Sequence, residues 1–181
     1  GLGTTVKVGD VVVATDFLQH DLDASPLFVR YEVPLYGKTR FNGDVALTAL
    51  LFQAASAALI ARGAPASVQA GQTHCATLRF PEAQVHRGLI ASGDRFVCGA
   101  QESRQLKDSL NGAGHEVLAV EMECAAVAQV CLDYGVPFAA VRTISDRADD
   151  SAHVDFRRFV DEVASRYAHL IIERLLDLLP K

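Results

Sequence analysis

The chain lacks the cysteine and histidine patterns that bind metals. Its four cysteines, Cys75, Cys98, Cys124 and Cys131, show no C-x-x-C spacing, and its six histidines show no metal-ligand spacing. The nearest pairing, His74-Cys75, has no second half. We therefore expect reduced, buried thiols, no metal and no cofactor.

Long apolar runs and clusters of basic residues are also missing. No run approaches the roughly 20 residues that cross a bilayer, and no charged start with a short apolar core marks a signal peptide. The 17 Lys and Arg residues are scattered and outnumbered by 22 Asp and Glu residues, for a net charge of -5. This balance argues against holding a phosphate backbone. We expect a soluble, cytoplasmic protein that binds neither nucleic acid nor membranes.

An initiator methionine is absent as well. The chain opens on Gly1-Leu2-Gly3, and its single methionine is Met122. Methionine excision before glycine is one explanation, but the opening looks more like the tail of a glycine-rich loop inside a domain. With 181 residues, half of them hydrophobic, the chain is long enough for one well-packed domain. We expect a single domain over residues 1–181 that lacks its amino-terminal strands.

Strands alternate with helices along the chain, which indicates an α/β fold with a mainly parallel sheet covered on both faces. Residues 16–42 are either a long excursion or a ragged strand pair, and residues 63–85 carry no clear pattern. Apolar runs predict strands over 11–15, 87–92, 118–122 and 137–144. Periodicity and capping residues predict helices over 44–62 with Asp44 as N-cap, 102–110, 124–134 and 156–179.

Two acidic clusters lie where predicted strands end. Glu121 and Glu123 straddle a strand-to-helix turn, and Ser145-Asp146 is the exit of the next strand. Ligands of open α/β sheets bind at such an edge, so these carboxylates predict a small-molecule site. Glu121 has a purely structural alternative, as a satisfied polar residue at a strand end. Asp149 has one too, in a loop ion pair with Arg147 or Arg142.

Four ordered blocks resemble one enzyme family. Residues 88–97, the Val-Glu-Met-Glu block at 120–123, residues 135–138, and residues 142–149 with Phe156 beyond are similar to the 5'-methylthioadenosine/S-adenosylhomocysteine nucleosidases of the purine nucleoside phosphorylase superfamily. The resemblance implies a mainly parallel central mixed sheet flanked by helices. It also places Gly1 well inside the domain, after a leading strand-helix-strand portion.

The same resemblance implies a hydrolase. It would cleave the N-glycosidic bond of 5'-methylthioadenosine and S-adenosylhomocysteine to adenine and the thioribose product, in methionine salvage and methyl-cycle recycling. Asp146 is the expected acid, acting at N7 of adenine, with Ser145 positioning it. A carboxylic acid that donates near neutral pH needs a raised pKa, to which the charge of Glu123 or Glu121 could contribute.

The expected binding residues follow from the matched blocks. Glu123 carries over as the ligand of the ribose hydroxyls, and Met122 as a neighbour of the sugar. Phe96 carries over as the ring stacked on adenine, although a phenylalanine beside a strand is more often part of the core. Val97 is the position whose backbone reads the purine edge, and Phe156 would help close over the ligand.

The resemblance also implies a homodimer. The excursion after the first strand is expected to reach the partner's site, where Leu27 and Phe28 would line the pocket for the 5'-alkylthio group; a local tuck of this pair is the alternative. For His20-Asp21 we prefer a structural or interface role to a catalytic one, because no nucleophile motif accompanies it.

Two other functions remain open at this point. A nucleoside phosphorylase shares the Met-Glu block and the Ser-Asp acid but replaces water with phosphate, which needs arginines aimed into the site. A non-catalytic nucleoside-binding protein on the same fold would bind without turnover. In the family, the glutamate that activates water lies upstream of the position of Gly1. The preferred 5'-substituent does not follow from the sequence.

Overall fold

The computed structural model describes residues 1–63, 82–147, 159 and 163–180. One sheet organises them, built from β1 (Val11–Gln19), β2 (Phe41–Asn42), β3 (Val85–Ser92), β4 (Val117–Glu121) and β5 (Val141–Thr143). The strand order is β2-β1-β3-β4, and β5 also pairs with β1. β3 is parallel to both β1 and β4, whereas β2 and β5 are antiparallel to β1. The predicted mixed α/β sheet is confirmed.

The described residues form four helices beside the sheet: α1 (Val45–Gly63), α2 (Ala100–Gly112), α3 (Cys124–Asp133) and α4 (Ser165–Leu178). α1 begins as predicted, because the Asp44 carboxylate accepts a hydrogen bond from the Leu47 N–H at 2.8 Å. In the part of the chain that the structure describes, no helix is long and apolar enough to cross a membrane.

The helices cover both faces of the sheet. α3 packs through Cys124, Ala125 and Ala128 against side chains of β1, β3 and β4. The small residues of α3 allow a close approach to the sheet. On the other side, Val11 and Val13 of β1 pack against α1 and α4. A third cluster joins Leu110 of α2 to β3 and β4. Strand alternation explains the two-sided burial of β1, since neighbouring residues point to opposite faces.

Two strand predictions needed correction. β1 continues to Gln19 instead of ending at residue 15, because its register shifts between Ala14 and Phe17 and the strand then pairs with β2. The polar residues Thr15 and Asp16 lie at this shift and interrupt the apolar run, so the sequence pattern does not indicate that the strand continues. β5 is shorter than the predicted strand 137–144. The carbonyl groups of Phe138 and Ala140 accept hydrogen bonds from Asp44 and Ala14, so residues before β5 bond outside its regular ladder.

The predicted helix 156–179 is described only in part, since residues 156–158 and 160–162 lie outside the described ranges. Its carboxyl-terminal portion is α4, and Phe159, Val163, Tyr167 and Ile171 are buried as the periodicity predicted. Leu178 was also expected on the apolar face, but it is 40% exposed and is not among the residues that pack against the core on that side.

Candidate active site

A cavity of about 310 Å³ lies where the loops after β3, β4 and β5 meet. The predicted binding and catalytic residues come from three separate sequence blocks, and the fold brings six of them to this one cavity. The lining residues are Gly1, Arg95, Phe96, Val97, Ala119, Val120, Glu121, Met122, Glu123, Arg142, Thr143, Ile144, Ser145 and Asp146.

Hydrogen bonds position the Ser145-Asp146 pair at the exit of β5. The Ser145 hydroxyl donates a hydrogen bond to Asp146 Oδ2 at 2.7 Å. The preceding residue, Ile144, is fixed by backbone hydrogen bonds with Asp10 and Gly9. Asp146 is 8% exposed, so its carboxyl group is largely shielded from bulk water while it lines the cavity. A shielded carboxyl beside a hydroxyl can orient a proton toward a bound molecule.

The second acidic cluster is organised around Arg142. The Arg142 Nε group donates a hydrogen bond to Glu121 Oε2 at 3.1 Å, and Nη2 donates to Glu123 Oε2 at 3.2 Å. Nη2 also contacts Glu121 Oε2. The Glu121 side chain is only 11% exposed, whereas that of Glu123 is 66% exposed. Glu121 is therefore the buried anchor and Glu123 the carboxylate available to a ligand.

Titration of these groups follows from their contacts. Burial alone would raise the pKa of Glu121, but hydrogen bonds from Ser92 and Arg142 lower it below its usual value. Burial alone would lower the pKa of Arg142, and the contacts with Glu121 and Glu123 raise it instead. Both groups stay ionised near neutral pH. Burial raises the pKa of the neighbouring Cys124 thiol to about 12, so this cysteine is not a thiolate nucleophile.

The apolar predicted residues contribute different surfaces. Phe96 and Met122 are 40% and 41% exposed, and both line the cavity. The alternative that Phe96 is a core residue is therefore wrong. Val97 lines the same cavity but is 6% exposed, so its side chain packs inward. An exposed ring and an exposed thioether give the cavity flat apolar walls suited to a planar ligand.

None of the three other predicted contacts is described at this cavity. Phe156 is outside the described residues, and so is Asp149. Leu27 and Phe28 do not line this cavity; Leu27 is 84% exposed on the loop between β1 and β2, and Phe28 is half-buried. Their expected place was the cavity of a second subunit, and that stays a prediction.

His20-Asp21 ties two strand ends together. The Asp21 carboxylate accepts a hydrogen bond from the Asp94 N–H at 2.7 Å. His20 is buried, and a Cβ placed on Gly93 would lie 2.3 Å from His20 Nε2, so only glycine fits beside the ring. Burial lowers the pKa of His20, which keeps the imidazole neutral. These contacts agree with the structural role. The pair also lines a larger groove, of about 810 Å³, beyond Arg95 and Val97.

Arg142, Arg95 and Ser92 were not predicted as site residues. Arg142 lay inside a matched block, but the sequence offered the nearby Asp149 as a partner, whereas the structure pairs Arg142 with Glu121 and Glu123. Ser92 ends β3 beside Glu121 in the register of β3 and β4. Polar residues at strand ends are the only signal that could have indicated them. Among the described residues, no cluster of three or more His, Cys, Asp or Glu side chains could hold a metal ion.

Comparison with known proteins agrees with this geometry. Residues 1–177 match the sequence profile of the Phosphorylase superfamily. The 5'-methylthioadenosine/S-adenosylhomocysteine nucleosidase of Actinobacillus succinogenes is 32% identical over 179 residues, which is 98% of this chain and 66% of that protein. The chain thus spans slightly less than two thirds of the length of this relative.

Solved structures show the same likeness. The nucleosidase of Neisseria meningitidis, in complex with methylthio-immucillin-A, superposes with a TM-score of 0.75 at 32% identity, over 99% of this chain and 66% of that one. The S-adenosylhomocysteine nucleosidase of Streptococcus pyogenes, in complex with 5-methylthiotubericidin, gives 0.74 at 32% identity, over 99% and 64%. By its sequence profile and its fold, the chain belongs to the phosphorylase superfamily.

Proposed function

We propose that the protein hydrolyses the N-glycosidic bond of 5'-methylthioadenosine and S-adenosylhomocysteine, releasing adenine and the thioribose product. The observation that carries the proposal is the convergence of an acid pair, an exposed carboxylate and an exposed ring on one cavity: Ser145-Asp146, Glu123 and Phe96. A cavity of about 310 Å³ falls within the range of small-ligand sites. The similarity to nucleosidases over nearly the whole chain supports the same activity.

In this proposal, adenine lies against Phe96 and its edge is read by the backbone of Val97. Asp146 donates a proton to N7, so that the base leaves as a neutral molecule. Ser145 holds the carboxyl group through the 2.7 Å hydrogen bond. Protonation of a leaving group by a positioned acid typically contributes 10²–10⁴-fold, roughly, to the rate. Phe156, outside the described residues, closes over the ligand.

The sugar lies beside Met122, with its hydroxyl groups bonded to Glu123. As the bond to the base breaks, positive charge builds on the ribose, and a carboxylate that accepts its hydroxyl protons binds more strongly in that state. Glu123 suits this role because its side chain is 66% exposed while Arg142 restrains it at 3.2 Å. The nucleophile that attacks the anomeric carbon is water.

The charges around the cavity favour water over phosphate. Phosphorolysis requires guanidinium groups that are free to bind the phosphate anion through hydrogen bonds. The two arginines of the cavity lining are both paired, Arg142 with Glu121 and Glu123, and Arg95 with Glu102.

The proposed protein is a single-domain, cytoplasmic homodimer that serves methionine salvage and methyl-cycle recycling. Leu27 and Phe28 reach the cavity of the partner subunit and pack against the 5'-alkylthio group. The 84% exposure of Leu27 supports this, because covering a large exposed apolar side chain is favourable.

The test is release of adenine from 5'-methylthioadenosine by the protein expressed from its complete gene, in phosphate-free buffer. We expect adenine and 5-methylthioribose as products, with a rate that added phosphate does not increase. Strict dependence on phosphate would identify a phosphorylase. Binding of the nucleoside without product in either buffer would identify a binding protein.

A further inference from the structure

The carboxylate of Glu121, at the end of β4, is surrounded by hydrogen-bond donors. It accepts hydrogen bonds from five donor groups: the Ser92 hydroxyl, the backbone N–H groups of Glu123 and Cys124, and the Nε and Nη2 groups of Arg142. Ser92 in turn accepts the Ala125 N–H at 2.8 Å. Every group that faces Glu121 is a donor, so only an ionised carboxylate satisfies them all.

These contacts hold Glu123 at two points. The Glu123 backbone N–H is bonded to Glu121 Oε2 at 3.1 Å, and the Glu123 side chain is bonded to Arg142, which Glu121 also fixes. A glutamate side chain that is 66% exposed would otherwise sample several rotamers. Glu121 holds the backbone of Glu123 directly and its side chain through Arg142, so the Glu123 carboxylate keeps one direction into the cavity.

We propose that Glu121 is a positioning residue, which with Ser92 and Arg142 aims the Glu123 carboxylate at the ribose hydroxyl groups. The proposal rests on the proposed function, because it assigns Glu123 to the ribose. Capping of α3 by Glu121 is a structural role that exists alongside it. The two roles differ in their consequences: a cap stabilises the fold, whereas a positioning residue changes the affinity for the sugar and leaves that for the base unchanged.

The experiment compares the affinities for adenine and for 5-methylthiotubericidin, the nucleoside ligand of the Streptococcus pyogenes relative, by calorimetry. In Glu121→Gln the amide NH₂ faces a donor whichever way it turns, so the network around Arg142 opens. We expect the affinity for the nucleoside to fall about tenfold or more, since the hydrogen bonds between the Glu123 carboxylate and the sugar are charge-assisted. The affinity for adenine should change less than about twofold, well below one such bond.

A double-mutant cycle tests whether Glu121 acts through Glu123. In the Glu123→Gln background, Glu121→Gln should cause little further loss of nucleoside affinity, because the group it aims is already altered. Ser92→Ala, which removes one donor to Glu121 and preserves its charge, should give a smaller loss in the same direction. The matched control is Asp44→Ala, which removes the carboxylate cap of α1 away from the cavity and should lower stability without changing either affinity.

Equal losses for both ligands, or independent effects of Glu121→Gln and Glu123→Gln, would overturn the proposal. A crystal structure of ligand-free Glu121→Gln gives a second readout that does not depend on the reaction. We expect the contact between Arg142 Nη2 and Glu123 Oε2 to be lost in it; an unchanged contact would count against positioning. If the natural protein released no adenine but these results held, the proposed function would fail and the positioning role would stand.

Discussion

Two buried aspartates show how surroundings assign a role to one side chain. Asp10, 2% exposed, accepts hydrogen bonds from the backbone of Lys7 and Gln84 and contacts His86 Nε2 at 2.8 Å. Both oxygens of the Asp10 carboxylate bond to groups inside the fold. Asp146, 8% exposed, faces the cavity beside the Ser145 hydroxyl. The first carboxylate stabilises the protein, and the second is placed to act on a ligand.

This contrast gives a prediction for Asp146→Asn. The substitution removes the transferable proton and keeps the shape, so turnover of 5'-methylthioadenosine should fall about 100-fold or more, while nucleoside affinity and thermal stability change little. Asp10→Asn should do the reverse, because its amide would face backbone donors: a lower unfolding temperature and near-normal turnover of the folded enzyme. Turnover rates with calorimetric affinities and melting curves check both. Unchanged turnover in Asp146→Asn would refute the role of Asp146 as the acid.

Residues within contiguous blocks could be predicted from the sequence, and cross-strand partners could not. Ser145, Asp146, Met122 and Glu123 lie in two short motifs, so a resemblance identifies them together. The partnership of Arg142 with Glu121 joins residues 21 positions apart. It depends on how the fold places β4 and β5, which are not adjacent strands, within reach of each other, and local patterns do not encode this.

The loop between β1 and β2 is fastened to the rest of the fold by its aromatic and charged side chains. Tyr31, buried with a φ of 69°, contacts the Ser109 hydroxyl of α2 through its own hydroxyl at 2.8 Å. A non-glycine residue in this left-handed conformation costs about 1–2 kcal/mol, which the burial of its ring offsets. Arg40 donates to His115 Nδ1 at 3.0 Å and to the Asp16 carboxylate at 3.0 Å.

The Arg40–His115 contact makes this fastening sensitive to pH. His115 must be neutral to accept the hydrogen bond, and burial together with the charge of Arg40 lowers its pKa below the usual value, against an opposing effect of Asp16. Burial lowers the pKa of His20 as well. A histidine with a lowered folded pKa binds fewer protons when folded than when unfolded, so its contribution is complete above pH 6.5 and is lost as pH falls toward the folded pKa.

We therefore predict that the free energy of unfolding decreases as the pH falls below 6.5, by at most ~1.4 kcal/mol per pH unit for each histidine. Urea unfolding between pH 7.5 and 5.5, which is roughly the range where histidine titrates, measures it. His115→Gln should reduce the slope, and His169→Gln, at an exposed position of α4, should not. Equal slopes for wild type and His115→Gln would contradict the prediction.

Elements with strong local signals were predicted well. α1 begins after Asp44, whose carboxylate caps it, and α3 is followed by Gly135, which has a φ of 64°. Both signals are visible in the sequence. β5 was predicted too long because its apolar run continues through residues whose carbonyl groups bond to β1 and to the start of α1. A run of apolar residues reports burial and does not report which backbone partners are available.

For the molecule as a whole, apolar exposure is uneven. The loop between β1 and β2 buries Tyr31 and Val33, but Leu27, Val29 and Leu35 are 84%, 71% and 95% exposed. Exposing several large apolar side chains of one loop to water is unfavourable, and a protein contact would cover them. This combination of anchored and exposed apolar side chains is what the proposed dimer requires of a loop that enters the partner's cavity.

The dimer gives the final prediction, for Leu27→Asp. Burying a leucine contributes roughly 1.5–3 kcal/mol, so replacing it with a charge should weaken self-association about tenfold or more, measured by sedimentation equilibrium. The variant should keep the wild-type melting temperature of the separated subunit, because Leu27 makes little contact within its own chain. It should also bind 5-methylthiotubericidin more weakly and adenine normally, because Leu27 is proposed to contact only the alkylthio group.

Ile60→Asp is the control, because Ile60 is 78% exposed on α1 and has no assigned place in the cavity of a partner. Loss of association in both variants would indicate general apolar contact instead of a specific loop. Weaker self-association of Leu27→Asp with unchanged nucleoside affinity would place Leu27 in the interface and outside the partner's cavity. If two subunits complete the site, Leu27→Asp should lose both the dimer and the affinity for the nucleoside, and Ile60→Asp should lose neither.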